Sequence, residues 1–157
     1  MPSGPGARDL IGFFTTLDGN LTNPDAAPNL VRSDQQIRTM LSKRAATLHL
    51  GVANYCWFTD PTKALCLRLA GTPTATKPLV GMCDSTRCPQ ATHHPCHRPV
   101  WAATAEQHRA FLGTLSRGQK AERVRLQAEL DRAEQIVAAI DAADTSPRQP
   151  GAQPCHD

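Results

Sequence analysis

A chain of 157 residues and 17.0 kDa has room for one ordinary domain, or one domain with tails, and excludes a large multi-domain enzyme. Hydrophobic residues make up 40% of it and aromatic ones only 4%, so the core is Ala- and Leu-rich and a large aromatic pocket is excluded. The net charge of +3 hides an uneven division: residues 32 to 120 hold 12 Lys and Arg against 4 Asp and Glu, and the remainder 5 against 10. A basic centre between acidic flanks is the electrostatic footprint of a nucleic-acid surface. No run approaches the roughly 20 apolar residues of a membrane span, and MPSGPGARDL lacks the basic-then-apolar start of a secretory signal. Together these predict a soluble, cytoplasmic protein without a membrane partner.

Residues 1–31 carry Pro2, Gly4, Pro5, Gly6, Gly12, Gly19, Pro24 and Pro28 and read as a flexible segment in which only Leu10 to Leu17 could be ordered. Ser33 or Asp34 then offers an N-cap, and Ile37, Met40, Leu41, Ala45 and Leu48 recur three and four apart, which predicts a helix over 34–49. Arg38, Lys43 and Arg44 fall largely on its other side. Between 51 and 99 proline and glycine interrupt every run, so short strands and turns pinned by something other than a large core are expected. Trp101, Ala105, His108, Leu112 and Leu115 resume a heptad-like step, as do Leu126, Leu130, Ala133, Val137 and Ile140. Two helices of about 14 and 25 residues, broken near Ser116, follow from that spacing. Their seams suit an antiparallel hairpin over 100–143, or a homodimer through 119–143. Residues 144–157 read as a disordered tail. The fold class is mainly α, of the α+β kind, with one ordered domain over 32–143: a basic helix, a Cys/His-rich zinc-pinned loop region with short strands, and a C-terminal helical hairpin.

Five of the six cysteines, Cys56, Cys66, Cys83, Cys88 and Cys96, lie within 41 residues, and His93, His94 and His97 share that window. In a reducing compartment such crowding points to a metal site rather than disulfides. Zinc takes four thiolate or imidazole ligands, commonly delivered as two close pairs on turns. Cys83 and Cys88 make one pair, C-x4-C, with Asp84, Ser85 and Thr86 supplying turn chemistry between them. The second pair is open. Cys56 with Cys66 would complete a four-cysteine site, His93 or His94 with Cys96 or His97 a compact knuckle, and Cys66, Cys83, Cys88 and His94 a mixed set. The candidate ligands are therefore Cys56, Cys66, Cys83, Cys88, His94 and His97. The competing reading is that small cysteines fill the core while the histidines sit on a polar loop. No C-x-x-C occurs, which disfavours redox chemistry. Only Asp60 and Asp84 lie between 50 and 100, so a closed structural zinc is expected and a catalytic one is not. Phosphate loops, dinucleotide fingerprints and serine elbows are absent from the sequence, and no catalytic residue is assigned.

The segments RAATLHLGVANYCWFTDPTKALCLRLAG and KPLVGMCDSTRCPQATHHPCHRPVWAATAEQHRAFLG resemble the terminal part of actinobacterial integrase-like, mobile-element recombinase-associated proteins, over roughly residues 30–143. The resemblance implies association with DNA in recombination or integration, as a zinc-stabilised accessory region. It does not extend to tyrosine recombinase chemistry, because the sole tyrosine, Tyr55, precedes the histidines and His94-Pro95-Cys96-His97-Arg98 lacks the required spacing. The expected function is a non-enzymatic, DNA-associated module, with an integrase or recombinase chain as a further partner. Arg38, Lys43, Arg44, Arg68, Lys77, Arg87 and Arg98 are the candidates for phosphate contact. The alternative is a protein-interaction module that presents its heptad seam to a partner chain.

Overall fold

A computed structural model describes residues 1–22 and 33–145. The fold is mainly helical with a small three-stranded antiparallel sheet, and it divides into two compact units.

The sheet unit comprises Pro5–Leu50 and Tyr55–Thr92. It holds α1 (Ala7–Thr22), α2 (Asp34–Ala45), β1 (Leu48–Leu50), β2 (Tyr55–Trp57), α3 (Leu65–Leu69) and β3 (Ala91–Thr92). The strands lie in sequence order, with Leu48 opposite Trp57, His49 opposite Cys56 and Leu50 opposite Tyr55, then Tyr55 opposite Thr92 and Cys56 opposite Ala91. The helix α1 is longer than the Leu10 to Leu17 stretch expected to be ordered, and it buries Leu10 and Leu17, two turns apart on one face. Gly6 is part of the reason. Its N–H donates to the Ala91 carbonyl at 2.8 Å, and a Cβ there would stand 2.8 Å from that same oxygen and 3.0 Å from the Pro89 carbonyl. A residue that reads as flexibility thus marks a close approach of two backbones.

Ser33 caps α2 as anticipated, its Oγ accepting from the Gln36 N–H at 3.3 Å. The helix ends at Ala45, four residues before the expected 49. The Thr47 hydroxyl donates to the Arg44 carbonyl at 2.8 Å, and the Thr47 carbonyl accepts from the Phe58 N–H at 2.8 Å. The chain has already turned toward the sheet, and Leu48 joins β1 instead of the helical face. Asp60 accepts from the Thr62 N–H at 2.9 Å and caps a 3-10 turn over Pro61–Lys63 that feeds α3. Leu65, Cys66 and Leu67 of α3 are buried with Phe58 and Ala64 to form the core of this unit.

The helical unit comprises Met1–Gly4, Gly51–Asn54 and the chain from His93 onward. Ser3 and His93 exchange both backbone hydrogen bonds at 2.9 Å. A 3-10 turn over Pro95–His97 leads into α4 (Arg98–Thr114), and α5 (Lys120–Asp144) follows. Pro99 sits in the first turn of α4, where its missing N–H is harmless. The two helices run antiparallel: Arg98 pairs with Asp141, Ala105 packs with Leu130 and Ala133, and Arg123 donates to the Leu112 and Leu115 carbonyls. Leu126, Leu130, Ala133, Ile136 and Ile140 are the buried positions of α5, with Ile136 more deeply placed than the expected Val137. Cys155 and the expected tail beyond 145 lie outside the described residues. Among the described residues no helix is long and apolar enough to cross a membrane.

Candidate metal centre

Three elements of the sheet unit deliver four cysteines: β2, α3 and the turn over 83–88. Cys56 is the central residue of β2, flanked by His49 and Ala91 in the two neighbouring strands. Ala91 packs with Cys88 and Leu65, and Cys66, next to Leu65 in α3, belongs to the cluster with Phe58, Ala64 and Leu67 against which Cys56 packs. Cys83 and Cys88 bracket a turn held by Asp84, whose carboxylate accepts from the Thr86 N–H at 3.2 Å, the Thr86 hydroxyl at 2.6 Å and Arg87 Nε at 2.7 Å. The Cys88 N–H closes that turn on the Asp84 carbonyl at 3.0 Å. Burial works against the ionised Asp84, yet the bonds from Thr86 and Arg87 hold its carboxyl below the usual carboxylate range. Cys66 and Cys88 are buried, Cys56 is half-buried and Cys83 is exposed at the rim.

Cys56 lies close enough to the other three thiols for their charge to act on it. Burial, then the neighbouring Cys88, Cys83 and Cys66, push the Cys56 thiol up to about 12. Soft sulfur donors in that number fit zinc. Among the described residues no three or more His, Cys, Asp or Glu side chains are grouped so that they could hold a metal ion, so ligation requires the thiols to draw together.

The candidate histidines lie in the other unit. His93 is buried with its ring edge-on to Trp101 at 5.7 Å between centroids. His97 is also buried, and its Nδ1 accepts from the His94 N–H at 3.0 Å. Burial, assisted by His97, brings His93 down to about 4. Burial, then His97, the N-terminal ammonium and His93, bring His94 down to about 4 as well. His97 is lowered by burial against an opposing backbone hydrogen bond with Gly51. All three are therefore neutral imidazoles at pH 7.

The expected phosphate ligands separate into two groups. Arg44 keeps 14% of its side chain exposed, pairs with Asp9 at 2.7 Å, and lies over the rings of Phe13 and Trp57 at 5.1 and 5.4 Å. Arg87 is held by Asp84, and Arg98 reaches both oxygens of Asp141 at 2.6 and 3.0 Å. Arg38, Lys43, Arg68 and Lys77 are exposed and enter none of the ion pairs among the described residues. Sequence reasoning also passed over Gln90, a buried amide whose Oε1 accepts from Thr59 and Asp60 and so ties the strand after Cys88 to the turn before Cys66. Its position two residues after a cysteine carries no sequence signal. No protein family, curated protein or solved structure matches the chain.

Proposed function

We propose that the chain is a zinc-stabilised accessory module that associates with DNA, of the integrase-linked kind its sequence resembles, and that it carries no catalysis of its own. The observation behind this reading is the convergence of cysteines from β2, α3 and both ends of the 83–88 turn in one unit with a small core. Such a unit gains its folding energy in part from the metal. Four zinc-binding thiols would leave no open ligand position for a reacting water, in keeping with a structural role.

The DNA half of the proposal rests on Arg38, Lys43, Arg68 and Lys77, exposed cations of the sheet unit that enter no ion pair among the described residues. Contacts of this kind go to phosphates and carry no sequence information. They act by releasing counterions, so each contact contributes about −0.9 to the slope of log affinity against log salt. Zinc analysis of the reduced chain, followed by duplex binding across a salt series, tests both halves. About one zinc per chain and a slope of about −2.7 to −3.6 is the expected result for three or four phosphate contacts. A chain that holds zinc but shows no salt-dependent affinity removes DNA from the reading.

A partner-presenting role for the heptad seam is less favoured, because Leu126, Leu130, Ala133, Ile136 and Ile140 are already buried within the helical unit. Sedimentation that shows concentration-dependent dimers and no DNA affinity would restore it.

A further inference from the structure

We propose that the metal is held by Cys56, Cys66, Cys83 and Cys88 alone, as a closed tetrathiolate, with His94 and His97 outside its coordination shell. This rests on the zinc-binding reading above and deepens it by fixing the ligand set.

The sheet register makes the selection. Cys56 stands opposite Ala91, Ala91 touches Cys88, and Cys66 follows Leu65, which belongs to the same cluster as Ala91 and Cys88. Three of the four sulfur-bearing residues thus share neighbours through one strand pair and one helix turn. The fourth, Cys83, is carried to the rim by the Asp84-centred turn that also fixes Cys88. Every one of these contacts lies inside the sheet unit.

The histidines are occupied in another way. A ligating imidazole must turn one ring nitrogen to the metal, and its other nitrogen is then held by a carboxylate, carbonyl or water. His97 spends Nδ1 on the His94 N–H, and the Gly51 backbone engages the ring as well. That makes it a positioning group for the turn at the start of α4. His94 stands near the N-terminal ammonium, whose positive charge disfavours an added cation beside it. Zinc is bound by thiolates, so its binding displaces protons from the four cysteines.

X-ray absorption at the zinc edge on the full, reduced, zinc-loaded chain reads the ligand set directly. The expected shell is four sulfurs at about 2.3 Å with no nitrogen at about 2.0 Å. His94→Asn should keep the same zinc content and the same shell. Cys83→Ser, at the exposed corner where folding is least disturbed, should lose one sulfur and weaken zinc by more than about tenfold, the least that loss of a ligand's own partner costs. An imidazole shell in the unaltered chain, or loss of zinc from His94→Asn, overturns the four-cysteine set while leaving zinc binding in place. A folded, reduced chain that takes up no zinc overturns both.

Discussion

Gln90 is buried, and its Oε1 accepts from the Thr59 and Asp60 N–H groups at 2.8 Å and from the Thr59 hydroxyl at 3.1 Å. Gln90→Ala leaves those donors without their acceptor and should cost about 1–3 kcal/mol, read as a lower denaturant midpoint at unchanged slope. A midpoint within error of the parent would show that water replaces the amide. Gly6→Ala belongs to the same scale. The new Cβ meets two backbone carbonyls that cannot rotate away, so the substitution should destabilise by about 1–3 kcal/mol despite the good helix propensity of alanine. The histidines give a pH dependence with a definite sign. Imidazoles that titrate near 6.5 in the unfolded chain and near 4 in His93 and His94 leave the unfolded state binding more protons between those values. Their contribution is complete above about 6.5, falls as the pH drops toward 4 and levels off below it. Urea midpoints at a series of pH values should show this loss in the parent chain and a flatter profile in His93→Gln. Of these residues the sequence identified the histidines and cysteines by type, since chemistry is a property of single side chains. It could not identify Gln90, Gly6 or the ring-stacked role of Arg44, because each depends on neighbours 30 to 85 positions away: Thr59 and Asp60 for Gln90, Ala91 for Gly6 and Asp9 for Arg44.

At the scale of elements, the long helices were legible because a 3.6-residue repeat sustained over several turns has no competing reading. Trp101, Ala105 and Leu112 do form the packed side of α4, and Leu126, Leu130, Ala133 and Ile140 that of α5. The short strands were expected without positions, since two or three residues carry too little alternation to register. The end of α2 was missed for a related reason: Leu48 continues the helical spacing, yet pairing with Trp57 satisfies its backbone better. The packing makes a graded prediction. Leu130→Ala opens a cavity beside Ala105 and Ala133 and should cost about 2–5 kcal/mol, whereas Val124, 72% exposed, should tolerate alanine within about 0.5 kcal/mol. Arg98→Ala should cost far less than Leu130→Ala, because its bond to Asp141 lies in solvent, where screening and side-chain entropy offset the attraction. Thermal midpoints that rank the three otherwise would mean that the charged contacts, and not the apolar seam, hold α4 to α5.

For the whole molecule, the consequence of the proposed site is that metal dependence is confined to one unit. The four thiols and the exposed cations Arg38, Lys43, Arg68 and Lys77 belong to the sheet unit, while the helical unit has an apolar seam of its own and contributes no sulfur to the set. The two tryptophans report on this separately. Trp57 follows Cys56 on β2, its Nε1 donating to the Thr92 hydroxyl at 3.2 Å; Trp101 lies in α4, its Nε1 donating to the Ala53 carbonyl at 2.8 Å. Each can be observed alone, in Trp101→Phe and Trp57→Phe chains that each lose one such bond, worth about 1 kcal/mol. Removing zinc from the Trp101→Phe chain with a chelator should shift the Trp57 emission to longer wavelength as the strands around Cys56 lose their pin and the indole meets water. The same treatment of the Trp57→Phe chain should leave Trp101 unchanged, with the α4 and α5 helicity retained in far-UV circular dichroism. A shift of both indoles would mean that the units unfold as one cooperative body, so that metal binding stabilises the helical pair as well. A shift of neither would mean that the cysteines fill the core of the sheet unit without needing a cation to hold it.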